Sequence, residues 1–153
     1  MTTIRLVEYD DFSEVFRMGK LFMEESSLIQ RIGWDWNSVK KLTHQFVDLD
    51  QMVGLVVEDG DQLIGMIGLV IAPHLFNDEY IVAEELVWWI APEHRKTIGF
   101  KLLEVAEEVC RLKGADEINM RFLHSEDMRA DLMERMYKRK GYRKVETAMG
   151  KEL

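Results

Sequence analysis

Apolar residues recur along this chain with two different spacings, and the changes between them predict its elements. Residues 4–7 read as a short strand. Residues 12–25 set Val15, Phe16, Met18, Gly19 and Phe22 at helical spacing, with Asp10 or Asp11 as the cap. Residues 32–36, rich in Gly and Trp, read as a loop. Asn37 or Ser38 then caps a second helix that carries Val39, Leu42, Phe46 and Val47 on one side. Residues 52–58 read as a strand, Asp59-Gly60 as a hairpin turn, and residues 62–72 as the antiparallel partner. Gly65 and Gly68 inside that partner permit bending or close approach.

Residues 73–80, with His74, read as a hairpin loop. Residues 83–90 form the next strand. Its unbroken run of Leu86, Val87, Trp88, Trp89 and Ile90 predicts burial on both faces at the centre of a sheet. A helix over residues 97–113 follows, striped by Leu102, Leu103, Ala106, Val109 and Cys110 and stopped by Gly114. Residues 117–122 read as a strand. Ser125 or Asp127 begins a helix whose stripe includes Leu132, Met133, Met136 and Tyr137, and Gly141 ends it. Residues 142–149 form a last strand. The order β-α-α-β-β-β-α-β-α-β predicts a single α+β domain over residues 1–153. Its central sheet is mixed and mostly antiparallel, flanked by helices.

Bulk properties narrow the function classes. A chain of 153 residues, 47% hydrophobic and 31% charged, can bury a core without disulfides or metal. No apolar run is long enough to cross a bilayer, and no leader peptide is read at the start, so neither membrane nor export is expected. The lone Cys110 fits a reducing compartment and a cytoplasmic location, and its place in a helical stripe suits a core thiol. A net charge of −8 argues against nucleic acid and acidic membranes as partners. It mildly favours a cationic acceptor such as an amine. His44, His74, His94 and His124 show no metal-ligand spacing, so no metal is expected.

The chemistry concentrates where the apolar strand ends. Past Pro92 comes a basic loop, His94-Arg95-Lys96, then Gly99 and a helix. A strand feeding a helix N-terminus through such a loop favours an anion, because unpaired N–H groups and the helix dipole both attract negative charge. A pyrophosphate is the expected guest. This strand–PEHR–helix junction, together with the segment MERMYKRKGYRKV over residues 133–145, resembles the GNAT family of acyl-CoA-dependent N-acetyltransferases. The resemblance spans essentially the whole chain.

The resemblance implies acetyl-CoA as the acyl-donor cosubstrate, bound along the splayed end of the central strand. Backbone groups of Trp89, Ile90 and Ala91 then bond its pantetheine amides, and the loop Arg95-Lys96-Thr97-Ile98-Gly99 takes the pyrophosphate, with His94 beside it. The family loop reads Arg/Gln-x-x-Gly-x-Gly/Ala. Counted from His94, the small positions hold Thr97 and Gly99; counted from Arg95, they hold Ile98 and Phe100. A side chain there obstructs close approach of the backbone to a phosphate, while Arg95 and Lys96 add charge-assisted bonds.

Two side chains are expected to carry the reaction. Tyr137 matches the family's tyrosine before the Gly141-Tyr142 pair and is the candidate proton donor to the departing thiolate; an amphipathic helix tyrosine is the structural alternative. Glu85 is the candidate base, as some relatives carry a glutamate there. A partly buried carboxylate has the raised pKa a base needs, and alternation puts Glu84 and Glu85 on opposite faces. Trp34 and Trp36 lie where relatives build the acceptor pocket, either lining it or packing as core; Trp88 and Trp89 read as core. Ser125 caps its helix or reaches the cofactor, and His124 sits near a proton route. The relatives' asparagine seven residues before the tyrosine is Ala130 here. Lys138, Arg139, Lys140, Arg143 and Lys144 meet adenosine phosphates or form a solvated helix end.

The activity implied is N-acetyltransfer, a transfer of acyl groups other than aminoacyl, to a primary amine on a small molecule or peptide, by direct transfer in a ternary complex. The alternative is a non-catalytic acyl-CoA-binding or protein-interaction module on the same fold. A homodimer is a further expectation, since small domains of this type often pair.

Overall fold

The computed structural model describes residues 1–122 and 130–153, with the side chain of Ala130 set aside. Among the described residues the fold is mixed α+β. Its five-stranded sheet runs in the order β1-β2-β3-β4-β5. The strands are β1 (Thr2–Leu6), β2 (Met52–Asp59), β3 (Gln62–His74), β4 (Asn77–Ile90) and β5 (Glu117–Asn119). The first four pair antiparallel, and β5 joins β4 in parallel. The helices are α1 (Phe12–Glu25), α2 (Leu28–Ile32), α3 (Trp36–Asp48), α4 (Arg95–Leu112) and α5 (Ala130–Arg139). The chain packs as two compact units, Met1–Arg121 and Phe122–Leu153.

In the first unit the sheet lies between two helical layers. Val53, Leu55, Val56 and Val57 of β2 and Ile67 and Leu69 of β3 are almost wholly removed from solvent. Gly68 marks the α3 side, where a Cβ would come within 2.4 Å of Phe46 Cζ and 3.0 Å of Val87 Cγ1. Trp88, next along β4, points the other way and meets Gly99 in the first turn of α4. Leu102, Leu103, Ala106 and Cys110 bury the rest of the α4 stripe.

Several expected boundaries move. Helix α1 has the predicted limits, but the Asp11 carboxylate does not cap it. It accepts both terminal nitrogens of Arg5, at 2.8 and 2.9 Å, and the Glu8 N–H. Helix α3 is capped by Asp35, whose Oδ2 accepts the Ser38 N–H at 2.9 Å, not by Asn37 or Ser38. Helix α2 was not expected, because five residues are too few to display a period. Gly60, at φ +62°, makes the predicted β2–β3 turn. The next hairpin is tighter than the loop over residues 73–80, since β3 runs to His74 and β4 resumes at Asn77.

The expected strand over residues 117–122 stops at Asn119, and residues 142–149 form no strand. A strand exists only through ladder bonds to a neighbour, which these residues do not make. In the second unit, α5 ends in a turn with Gly141 at φ +91°, where the Lys140 and Tyr142 N–H groups both reach the Tyr137 carbonyl. The expected helix start at Ser125 or Asp127, and His124, lie outside the described residues.

Gly68→Ala will overpack the Phe46–Val87 contact and lower stability by about 2 kcal/mol. A drop in urea midpoint at unchanged slope checks it; an unchanged midpoint shows that Phe46 yields freely.

Candidate active site

Strand β4 carries the site because its two edges behave differently. Toward β3 it is paired nearly throughout. Among the described residues it is paired toward β5 only at Val82↔Glu117, Ala83↔Ile118 and Glu84↔Asn119, and no described strand lies beside residues 85–90 on that edge. The Ala91 N–H donates to the Ile64 carbonyl at 2.8 Å. Antiparallel alternation therefore turns the peptide groups of Trp89 and Ala91 toward β3 and those of Ile90 outward, to the open edge. Of the three strand positions expected to meet a ligand amide, Ile90 is the one so aimed.

The outward carbonyl of Ile90 accepts Nε of Arg95 at 2.9 Å. The same guanidinium reaches Glu25 at the end of α1. Arg95 thus clasps the strand end instead of projecting freely. The other loop residues also have definite places. Residues 92–94 form one 3-10 turn, and α4 begins at once with Arg95, leaving no glycine loop. Lys96 and Thr97 are exposed, and the Thr97 hydroxyl donates to the His94 carbonyl. Ile98, where relatives place glycine when the motif is counted from Arg95, points into the core, 6% exposed. Gly99 is buried against Trp88.

The two adjacent glutamates have opposite surroundings. Glu84 is partly exposed and accepts Asn119 Nδ2 at 2.8 Å and an Arg121 terminal nitrogen at 2.9 Å. Glu85 is buried, 6% exposed, and its Oε2 accepts the Arg121 backbone N–H at 2.9 Å. Burial pushes the Glu85 carboxyl up to about 7, against the pull of the Arg121 N–H and the Arg121 charge. Arg121 and Asn119 escaped the sequence reading, whose only relevant signal was a polar residue closing a short strand. Burial also pushes the Cys110 thiol up to about 11, so it stays protonated near neutrality.

A break in register shapes the wall beyond Glu85. Gly68 opposes Val87 and Leu69 opposes Glu85, so Leu86 is an extra residue in β4. Leu86 and Val87 both line a cavity of about 470 Å³ between the sheet and helices α1 to α3. Trp34 lines it too. Trp36 does not; it stands 48% exposed, edge-on to Trp34 and Phe16. Trp89 is core, as expected, but Trp88 and Val87 are half-buried and Leu86 is 38% exposed, so the apolar run of β4 is not buried on both faces throughout. Leu86 and Val87 border the cavity instead of packed side chains.

Tyr137 belongs to the second unit. Its side chain is buried, stacked on Phe122 at 6.2 Å and edge-on to Tyr142 at 5.2 Å. Among the described residues, no three His, Cys, Asp or Glu side chains gather as metal ligands, and no helix is long and apolar enough to cross a membrane.

The Glu85 environment has a consequence for stability. The folded carboxyl holds its proton up to about pH 7, whereas the ordinary glutamate value is 4.5. Between these values the folded state binds more protons than the unfolded one, so stability is greatest below the lower value. It falls by about 3 kcal/mol as pH rises through the upper one. Glu85→Gln flattens this decline. Urea midpoints across the interval check it, and equal slopes in both proteins would refute the assignment.

Comparison with known proteins agrees with this architecture. The structure of AAC(6')-Iy bound to the bisubstrate analogue CoA-S-monomethyl-acetylneamine superposes with a TM-score of 0.77 at 13% identity, covering 100% of this chain and 98% of that one. A transcriptional regulator from Bacillus halodurans C-125 gives 0.77 at 17% identity with both chains fully covered. Glucosamine-6-phosphate N-acetyltransferase from Arabidopsis thaliana gives 0.68 at 14% identity, covering 99% of this chain and 98% of that one. At such identities the likeness is one of fold. No curated protein matches the sequence. The profile of the acetyltransferase (GNAT) family matches residues 17–142, and the chain belongs to that family.

Proposed function

We propose that this chain is an acetyl-CoA-dependent N-acetyltransferase that moves an acetyl group to a primary amine by direct transfer in a ternary complex. The observation that carries this reading is the open edge of β4 running directly on from a buried, proton-holding Glu85. Acetyl-CoA supplies the acetyl group as an activated thioester. The outward N–H and C=O of Ile90 suit its pantetheine amides, once Arg95 releases the carbonyl, with Trp89 and Ala91 forming the flanks. Its pyrophosphate is assigned to residues 94–99. His94 and the exposed Arg95, Lys96 and Thr97 supply polar contacts there, and the buried Ile98 and Gly99 hold the first turn of α4 against the sheet.

Glu85 takes a proton from the acceptor ammonium through water. It is ionised above its raised pKa, and the Arg121 N–H steadies the carboxylate. The Tyr137 phenol donates a proton to the departing thiolate sulfur. Cys110, buried and protonated, is unsuited to carry an acyl group, which favours direct transfer. The buried Ile98 and the Arg95 clasp support the second reading, a module that binds acyl-CoA without turning it over. Free thiol released with amine acceptors separates the two.

Tyr137→Phe will lower kcat about a hundredfold while leaving the acetyl-CoA Kd unchanged, and an unaltered kcat removes Tyr137 from the reaction. The wild-type rate rises with pH through about 7, and Glu85→Gln abolishes that limb. Acetyl-CoA will raise Tm through linkage; no shift at millimolar ligand rejects cofactor binding. Glu25→Gln loosens the exposed Arg95 clasp and tightens acetyl-CoA by up to about fivefold, as titration calorimetry reports.

A further inference from the structure

We propose that Glu84 is a positioning residue: with Asn119 and Arg121 it forms a clamp that fixes where β5 leaves β4 and so holds the Arg121 N–H on the Glu85 carboxylate. The catalytic consequence rests on the reading of Glu85 as the base; the clamp itself does not.

The ladder alone does not set that donor. Among the described residues β5 meets β4 through three residue pairs, and the last is Glu84↔Asn119. The Arg121 N–H lies two residues beyond, where no ladder pair holds the chain to β4. So short a strand is marginal by itself. Two side chains take over where the ladder stops. Asn119 Nδ2 donates to one oxygen of Glu84 at 2.8 Å, and a terminal nitrogen of Arg121 donates to the other at 2.9 Å. Both oxygens of one carboxylate thus grip the chain on either side of Met120. Each bond is charge-assisted.

Glu84 and Glu85 point to opposite faces of β4, yet Arg121 meets both. Its guanidinium takes Glu84 and its backbone N–H takes Glu85. The hold on the side chain therefore fixes the backbone donor. Glu85 is buried, and that N–H is its one hydrogen-bond donor among the described residues. Without it the ionised form, which a base needs, loses its partner. The charged groups acting on Glu85 are Arg121, which favours ionisation, and Glu84, which opposes it. Helix α4 adds the uncharged stripe of Leu102, Leu103, Ala106 and Cys110 to the core. The charge of Glu84 thus works against ionisation of its neighbour, while its grip on Asn119 and Arg121 works for it. The two effects have opposite signs, which makes them separable.

The test follows the Arg121 amide by NMR on the full chain, with kinetics beside it. In the wild-type protein this amide is expected to titrate with Glu85 near pH 7 and to resist hydrogen exchange. Asn119→Ala alters no charge. It and Glu84→Gln will each speed exchange of the Arg121 amide about tenfold and abolish its titration, while the amides of Val56 and Ile67 in the sheet centre stay protected. Arg121→Lys keeps a cation for Glu84 and will retain protection that Arg121→Ala loses. Thiol release from acetyl-CoA, with spermidine, neamine and phenethylamine as probe amines, gives the kinetic arm. Asn119→Ala will move the pH–rate limb upward and lower kcat at pH 7 about twofold. The proposal falls if the Arg121 amide is untouched in Asn119→Ala and Glu84→Gln. It falls too if Glu84→Gln shifts the limb downward with the amide unchanged, as a neighbouring charge alone would. Amide effects without turnover of any probe amine uphold the clamp and tell against the enzyme. Turnover with one limb common to the wild type and both clamp variants upholds the transfer and removes Glu84 from it.

Discussion

The short parallel ladder between β4 and β5 is the constraint on which the site depends. It ends at Glu84↔Asn119, while β4 runs on to Ile90. Just beyond that end, the Arg121 N–H donates to the Glu85 carboxylate. A backbone donor therefore satisfies a buried acid, and no described strand pairs with the edge above it. Burial of Glu85 and its raised pKa follow from the same divergence, because the acid is withdrawn from water with one N–H as its partner. Glu84, one residue earlier, still faces β5, where it accepts a hydrogen bond from Asn119 and pairs with the Arg121 guanidinium. One step along the strand separates a solvated ion pair from a proton-holding acid.

The two ends of the open edge have different chemistry. At Ile90 the first turn of α4 abuts the strand directly, without a glycine loop, and Arg95 and Glu25 close over the carbonyl. At Glu85 the extra residue Leu86 opens onto an apolar cavity. A bulge is what allows Leu86 and Val87 both to serve as wall, since regular alternation would send one of them to the other face. The glycines at 54 and 68 let Phe46 lie close to the sheet, so the helical layer stays near while space remains at Gly19. Polar function gathers at the strand, and shape at the layer above it.

Local features were legible where their cause is local. Helix α1 shows its period over a full stripe, so both of its ends could be read. Asp59-Gly60 marks a turn by its own backbone preference. The strand–loop–helix junction and the tyrosine before Gly141-Tyr142 carried the family, which the match over residues 17–142 bears out. Partnerships between distant residues were not legible. Asp11 was read as a cap because its neighbours are helical, yet Arg5 takes it in two hydrogen bonds. Residues 142–149 have strand-like composition but no ladder, and composition cannot supply a neighbour.

The sequence by itself determined the stripe of α1, the Asp59-Gly60 turn, the strand–helix junction and the basic start of α4, all of which depend on residues close together in the chain. Only the tertiary structure decided which glutamate is desolvated, which peptide group of β4 faces outward, what Arg95 holds, and that an apolar cavity lies beside the bulge. Those outcomes depend on where β5 leaves β4 and on how three helices seat on the sheet. Desolvation and cavity shape are properties of packing between residues far apart in sequence, and no periodicity along the chain encodes them.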